Sequence, residues 1–193
     1  MTYRLDQGGG AFYGPKIDVK FNDAIGREWQ GATIQLDYEL PERFGLEYAG
    51  EDNRPHRPVM IHLAIYGTIE RFCGFLIEHF AGAFPLWLSP EQVRVLPIAD
   101  AQIPAARAVH DRLRAAGIRS QVDERSETLN YKVRDGELHK VPYLAVVGQR
   151  EAEAGSVAVR VRGSEKKQVV LPLAEFVEKL GEEVRTRALA PLV

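Results

Sequence analysis

The chain has 193 residues, 45% of them hydrophobic, which is enough to bury one sizeable core or two modest ones. Its formal net charge of -2 and pI near 6.2 exclude a chain-wide polycation, so any RNA contact must come from local patches. One cysteine excludes an internal disulfide framework and fits a reducing compartment. The opening Met1-Thr-Tyr-Arg-Leu-Asp6 lacks the apolar core of a signal peptide, and no apolar run is long enough to cross a bilayer. A soluble, cytoplasmic protein with no membrane partner is therefore expected.

Residues 1–7 carry no signal, and Gly8-Gly-Gly10 is a flexible entry with neither a GxGxxG pattern nor a GK[ST] ending, so a phosphate loop is rejected. Gly14-Pro15 marks a turn. From Lys16, Ile17, Val19 and Phe21 alternate with Lys16, Asp18 and Lys20, the pattern of a half-buried strand with a charged face. Residues 22–26 read as a hairpin connection and 27–38 as the returning strand. Pro41 to Pro58 is polar and punctuated by proline, an exposed excursion in which His56 is a solvated loop residue.

Residues 59–80 organise what precedes and follows. An apolar run reads as a strand, and Ile65, Ile69, Phe72, Cys73, Leu76 and Phe80 follow at helical spacing. His62 interrupts the strand, and Glu70 and Arg71 occupy the first helical turn. Taken singly, each has an ordinary structural reading: a satisfied histidine, a solvated ion pair, and for Cys73 a small buried hydrophobe on the core-facing stripe.

Ala81 to Pro90 breaks the helix with two prolines, and the domain boundary is placed near Leu88, giving domains 1–88 and 89–193. Short β-branched strands then alternate with amphipathic helices: strands at 93–98, 119–123, 143–147 and 157–162, helices at 101–116, 129–140 and 173–188. Alternating βα units predict an open mixed sheet covered by helices. Basic residues cluster at Arg125, Lys132, Arg134, Lys140, Arg150, Arg160, Arg162, Lys166 and Lys167, either a phosphate-tracking face or a solvated surface; for Lys166-Lys167 the solvated reading is preferred.

The 59–80 run resembles motif 3 of the class II aminoacyl-tRNA synthetases, and closely that of the threonyl-tRNA synthetase family. Gly10-Ala-Phe-Tyr-Gly-Pro-Lys16 and Trp29-Gln-Gly-Ala-Thr-Ile-Gln-Leu-Asp37 match family segments almost residue for residue. The resemblance implies a fold of class α/β: an α+β remnant of the antiparallel-sheet catalytic domain, then an α/β mixed-sheet anticodon-binding domain carried by Ala116-Gly-Ile-Arg119, Val141-Pro-Tyr143 and Val157-Ala-Val-Arg160.

By the same resemblance, Tyr13 closes over substrate threonine, Lys16 lies near the reacting groups, and Gln30 and Gln35 are amide side chains of the nucleotide and substrate pocket. The odd spacing of the two glutamines would put them on opposite faces of a regular strand, so a bulge, a strand end or an indirect role for one is implied. Arg71 matches an ATP-binding arginine. Thr68 stands where serine is common and retains a hydroxyl for the substrate amino group, although its place after Gly67 also suits a plain helix N-cap. His62 matches one ligand of a zinc held in the family by one Cys and two His, with threonine's amino and hydroxyl groups at the open position. Leu63 departs from the family's arginine.

Glu151 and Arg160 match base-contacting positions, and Ser126 stands where relatives often carry Asn. The implied cofactors are Zn2+ and ATP with Mg2+, the implied partners threonine and its tRNA, and the implied full enzyme a homodimer. Motifs 1 and 2 and the other zinc ligands are not found, so a C-terminal fragment of a threonine–tRNA ligase is expected. The alternative is a non-catalytic tRNA-binding or regulatory module on the same scaffold.

Overall fold

The computed structural model describes residues 3–164 and 168–193. Lys166 and Lys167 lie outside the described residues. The chain divides into two compact units, Met1–His79 and Phe80–Val193. They meet before the sequence-based boundary near Leu88 because Leu86, 1% exposed, belongs to the core of the second unit.

In the first unit β1 (Lys16–Asn22), β2 (Glu28–Asp37) and β5 (Met60–Ala64) form an antiparallel sheet in the order β1-β2-β5. The alternation seen in the sequence sets its two faces. Ile17, Ile34 and Leu63 pair in one row and Leu36 faces Ile61, while Lys16, Gln35 and His62 form the corresponding row on the other face. Between Asp18 and Lys20 the register shifts: Asp18 pairs with Thr33 but Lys20 pairs with Gln30, so β2 carries one extra residue. The excursion between β2 and β5 holds α1 (Glu39–Arg43) and a small hairpin, β3 (Tyr48–Ala49) with β4 (Pro55–His56). There His56 Nε2 lies 2.8 Å from Asp52 Oδ1 in an exposed pair.

α2 (Ile69–His79) follows β5. It meets the sheet through Phe75, whose ring stands edge-on to Phe21 and Trp29 with centroids 4.6 Å and 5.3 Å away. Of the expected core-facing stripe, Phe72, Leu76 and Phe80 are half-buried, whereas Ile65 is 62% exposed, Ile69 60%, and Cys73 is an exposed free thiol. Contact through Phe75 turns the Ile69-Cys73-Ile77 row, spaced four residues apart, to solvent. Among the described residues of this unit only Asp37 and Pro41 are fully buried.

The second unit is a five-stranded mixed sheet in the order β10 (Val169–Pro172), β9 (Ser156–Val161), β8 (Tyr143–Val147), β6 (Val93–Pro97), β7 (Ser120–Val122). β7, β6 and β8 run parallel, and β9 and β10 join antiparallel. Val93, Val95, Tyr143, Ala145, Val147, Val157 and Val159 point to one face, where α3 (Ile103–Ala115) and α6 (Leu173–Thr186) cover them with Ala106, Val109, Leu113, Phe176 and Leu180. Leu96, Leu144, Val146 and Ala158 point to the other, against Val133 of α4 (Leu129–Leu138). Gly136 lets that helix come close, since a Cβ there would lie 2.6 Å from Leu144 Cδ2. α5 (Gln149–Ala154) connects β8 to β9.

Candidate active-site face and candidate anticodon interface

The polar face of the three-stranded sheet gathers most of the singled-out residues. The extra residue in β2 cancels the odd spacing of Gln30 and Gln35, and both side chains emerge on the face of Lys16 and His62. Gln30 Nε2 donates to Asp18 Oδ1 and Thr33 Oγ1, both at 2.8 Å. Thr33 Oγ1 also donates to Asp18 Oδ1 at 2.8 Å, and Lys16 Nζ lies 2.8 Å from Asp18 Oδ2. Asp18 is thus the hub for one lysine, one amide and one hydroxyl. Its own hydrogen bond and charge hold the Lys16 ammonium above the usual lysine range against the opposing effect of burial. Burial acts to raise the Asp18 pKa, but the hydrogen bonds from Lys16 and Thr33 outweigh it and the carboxyl stays below its ordinary value.

A second group adjoins the first. Tyr13 Oη donates to Gln35 Oε1 at 3.1 Å, and its ring stands edge-on to the His62 imidazole with centroids 6.1 Å apart. His62 Nε2 lies 2.8 Å from Asp37 Oδ2. Burial acts to raise the Asp37 pKa, but donors from Leu40 N, His62 and Glu39 N hold it down. Face and register therefore bring together Tyr13, Lys16, Gln30, Gln35 and His62.

Arg71 and Thr68 are placed differently. The Arg71 guanidinium sits 5.9 Å from the centroid of Trp29, a ring on the face opposite Gln30. The Thr68 carbonyl accepts the Phe72 N–H at 3.0 Å in the N-cap position, and its hydroxyl has no hydrogen-bond partner among the described residues. Gly67, at φ +67°, makes the turn before it and lies where a Cβ would be 3.1 Å from the Gly31 carbonyl. His62 is the only member of the expected ligand set found here, and no group of three metal-binding side chains occurs among the described residues. Its half-exposed imidazole, backed by a buried carboxylate, fits one position of a zinc shell.

In the second unit the loop after β7 carries the exposed Ser126, and the loop after β8 leads into α5 with Glu151 in its first turn. Both lie at the carboxyl edge of the parallel strands. Glu151 Oε2 accepts the Gly148 N–H at 3.0 Å, so one carboxylate oxygen caps α5 and the other is free of it. Arg160 is on β9 opposite Leu144, on the α4 side of the sheet.

The basic cluster separates into two kinds of residue. Arg134, Arg150 and Arg160 have no hydrogen-bond or ion-pair partner among the described residues. Arg125 grips Asp123 at 2.8 Å and 2.6 Å and Asp135 at 3.0 Å, and its guanidinium lies over the exposed Tyr131 ring, 5.6 Å from the centroid. Arg162 donates to the carbonyls of Lys140, Ala83 and Phe84, and burial lowers its pKa. Lys140 reaches the Ala81 carbonyl. Lys132 is 4% exposed with Nζ 3.5 Å from the Pro97 carbonyl. Lys132, Lys140 and Arg162 are therefore spent on the fold rather than offered to phosphate; in Lys132 the helix turns the long stem inward over the end of β6.

Comparison with known proteins fits both units. A family model described as "tRNA synthetase class II core domain (G, H, P, S and T)" matches residues 2–80, and one described as "Anticodon binding domain" matches residues 92–183. The threonine–tRNA ligase of Sulfurihydrogenibium sp. (strain YO3AOP1) is 54% identical over 187 residues, 97% of this chain and 29% of that protein. That of Lawsonia intracellularis (strain PHE/MN1-00) is 56% identical over 165 residues, 86% of this chain and 26% of its own length. The chain belongs to the threonyl-tRNA synthetase family.

The RNA binding domain of threonyl-tRNA synthetase from Cryptosporidium parvum Iowa II superposes with TM-score 0.82 at 39% identity, covering 91% of this chain and 44% of that one. Prolyl-tRNA synthetase of the same organism, complexed with halofuginone and AMPPNP, gives TM-score 0.69 at 25% identity, covering 94% and 40%. The mixed α/β architecture expected from the sequence is thus that of class II synthetase domains. The sequence reading passed over Asp18, Thr33 and Asp37, whose hydrogen bonds hold the polar face together. Asp18 was legible only as an alternating polar residue and Asp37 only as the last residue of a matching segment.

Proposed function

We propose that this chain is the C-terminal part of a threonine–tRNA ligase, combining a piece of the threonine-activating site with an anticodon-binding domain. The chain spans 29% of the length of several of the curated relatives it matches, so activation of threonine by ATP and its transfer to tRNA belong to the whole enzyme. The reading rests on one observation above the others: strand pairing puts Lys16, Gln35 and His62 in one row, the bulge in β2 adds Gln30 to the same face, and Tyr13 reaches that row through Gln35. A surface chosen for solubility has no need of that arrangement.

In this reading Met1–His79 is the catalytic piece and Phe80–Val193 the anticodon domain, in place of a boundary near Leu88. His62 would hold zinc together with ligands from the rest of the enzyme, and the metal would supply Lewis-acid chemistry toward threonine's amino and hydroxyl groups. Valine, close in shape but without the hydroxyl, would be rejected on that ground. Tyr13, oriented by Gln35, closes over the substrate. Lys16, kept protonated by Asp18, places a cation beside the developing phosphate charge of ATP–Mg2+. Gln30 is fixed by Asp18 and Thr33 to present its remaining amide valences to substrate or nucleotide. By the resemblance Thr68 offers its hydroxyl to the substrate amino group and Arg71 binds ATP, a role Arg71 takes up only by leaving its place over Trp29 on the opposite face of the sheet. Glu151, Arg160 and Ser126 read the anticodon of threonine tRNA, and Arg134 and Arg150 track its phosphates. The full enzyme works as a cytoplasmic homodimer.

Purified alone, the chain should bind RNA but not make threonyl-adenylate, since His62 stands without the rest of a ligand set and losing even one preorganised donor costs ~10²–10³ in rate. Threonine-dependent ATP–pyrophosphate exchange at an ordinary synthetase rate would refute this division of labour. The second reading is a tRNA-binding or regulatory module without catalysis on the same scaffold, to which Arg134, Arg150 and Arg160 of the second unit, unpaired among the described residues, are equally suited. Restoring exchange by adding the remaining part of a relative's enzyme would exclude that reading.

A further inference from the structure

Asp37 ends β2 with its side chain 0% exposed, a costly place for a carboxylate unless every lone pair has a use. Oδ1 accepts the backbone N–H groups of Glu39 at 3.0 Å and Leu40 at 2.9 Å, which tie it to the first turn of α1. The carboxylate cannot rotate without breaking both bonds. Oδ2 is therefore held in one direction, and 2.8 Å along it lies His62 Nε2.

An ionised carboxylate offers acceptors only, so the imidazole nitrogen facing it must carry the hydrogen. Neutral His62 is then the Nε2–H tautomer with its lone pair on Nδ1. The neighbouring hydroxyl does not compete, because Tyr13 Oη is committed to Gln35. We infer that Asp37 is the positioning residue of His62: it fixes tautomer and ring orientation so that Nδ1 is the nitrogen offered to zinc. The inference rests on the proposed reading of His62 as a metal ligand and adds to it a residue that acts through the histidine, as carboxylate partners of zinc-bound imidazoles do.

Substitution of Asp37 by Asn is the informative change. The Asn carbonyl can keep the two backbone donors of α1, but its amide then turns an N–H toward His62. Nε2 becomes the acceptor, and the proton moves to Nδ1. A merely structural contact would tolerate that exchange without consequence for the metal.

The test is nitrogen NMR of the imidazoles in the full 193-residue chain, free of metal and at mildly alkaline pH, followed by titration with Zn2+ alone. The unmodified chain should show His62 as Nε2–H, and Zn2+ should perturb Nδ1. Asp37→Asn should show Nδ1–H, with the resonances of the second unit unchanged, and should need ~10–100 times more Zn2+ for the same His62 response. A Nδ1–H tautomer in the unmodified chain would overturn the inference without any variant, and so would an unchanged tautomer in a folded Asp37→Asn. If the tautomers behave as stated but Zn2+ perturbs no His62 nitrogen even when the remaining part of a relative's enzyme is added to supply the other ligands, the reading of His62 as a ligand falls, and the metal half of the inference falls with it.

Discussion

The two sheets of this chain are built from similar β-branched strands and finished differently. In the first unit Ile17 and Ile61 are each 66% exposed and Leu63 60%, whereas in the second Val93, Val95, Val147, Val157 and Val159 are all at 0%. The second sheet has helices on both faces, so each strand alternates between two cores. The first gives one face to polar side chains and leaves apolar residues open on the other. Burial is the main source of stability, so the two regions divide the work: one is held by packing, the other by a hydrogen-bonded polar face. The first unit can carry Lys16, Asp18, Gln30, Asp37 and His62 side by side because its polar face is the part for which its hydrogen bonds are organised.

The sharpest way to break this contrast is a pair of truncations. Phe176→Ala removes a ring at 0% exposure from the second unit's core and should cost ~3–5 kcal/mol. Ile61→Ala in the first unit should stay within about 0.5 kcal/mol. Denaturant unfolding of both variants, followed by a signal from each unit, checks the pair. Equal losses would show that the open face of the first sheet is buried in solution.

A smaller effect is expected at the buried polar contact of the second unit. Tyr143 Oη donates to Glu183 Oε2 at 2.6 Å, and the Leu192 N–H donates to the same oxygen at 3.2 Å, with Glu183 3% exposed. Burial first and Glu183 second raise the Tyr143 pKa. Tyr143→Phe should cost about 1–3 kcal/mol, mainly because it leaves a buried carboxylate short of a donor. A Tyr143→Phe variant as stable as the unmodified chain would show that Glu183 is satisfied from the C-terminal segment alone.

The smallest effect should appear on acidification. The hydrogen bond from Arg125 leads in holding the Asp123 carboxyl below its ordinary value of 3.8. A carboxyl lowered in the folded state binds its proton later than in the unfolded chain. Its stabilising contribution is complete above pH ~5 and is lost as pH falls below 3.8 through the folded pKa. Arg125→Ala should flatten this acid limb by lowering stability above pH ~5, where the contribution is complete, and should change it least at low pH, where the carboxyl is protonated in both states. An unchanged acid limb would remove Arg125 as the cause.

The contrast between the regions also explains what the sequence could reveal. Residues 143–147 read correctly as a buried strand because a run bounded by Pro142 and Gly148 has one simple solution. α5 and β10 went unread: α5 is short and polar and is held by the Glu151 cap, and β10 is an edge strand of four residues ending in Pro172. The shared face of Gln30 and Gln35 depends on a bulge, which is fixed by pairing with β1 and not by the spacing within β2. Cys73 and Lys132 exchanged environments for a tertiary reason. α2 meets its sheet through Phe75, and α4 lies with its lysine stem inward, choices that helical periodicity alone leaves open.

The claim on which the account turns is that the second region reads an anticodon, and the direct test is a titration of anticodon stem-loops with the whole chain at several salt concentrations. The threonine anticodon should bind more tightly than unrelated ones, with affinity falling linearly in log salt. Arg160→Ala should cost about 1–3 kcal/mol against the cognate loop and flatten discrimination. At position 151 the informative change is Glu151→Gln, because its carbonyl can still accept the Gly148 N–H and cap α5, so that lost discrimination reports base reading and not a frayed helix. Arg134→Ala should weaken all loops about equally and lower the salt slope. Equal affinity of the unmodified chain for threonine and unrelated anticodons, or full discrimination after changing both Glu151 and Arg160, would contradict the account.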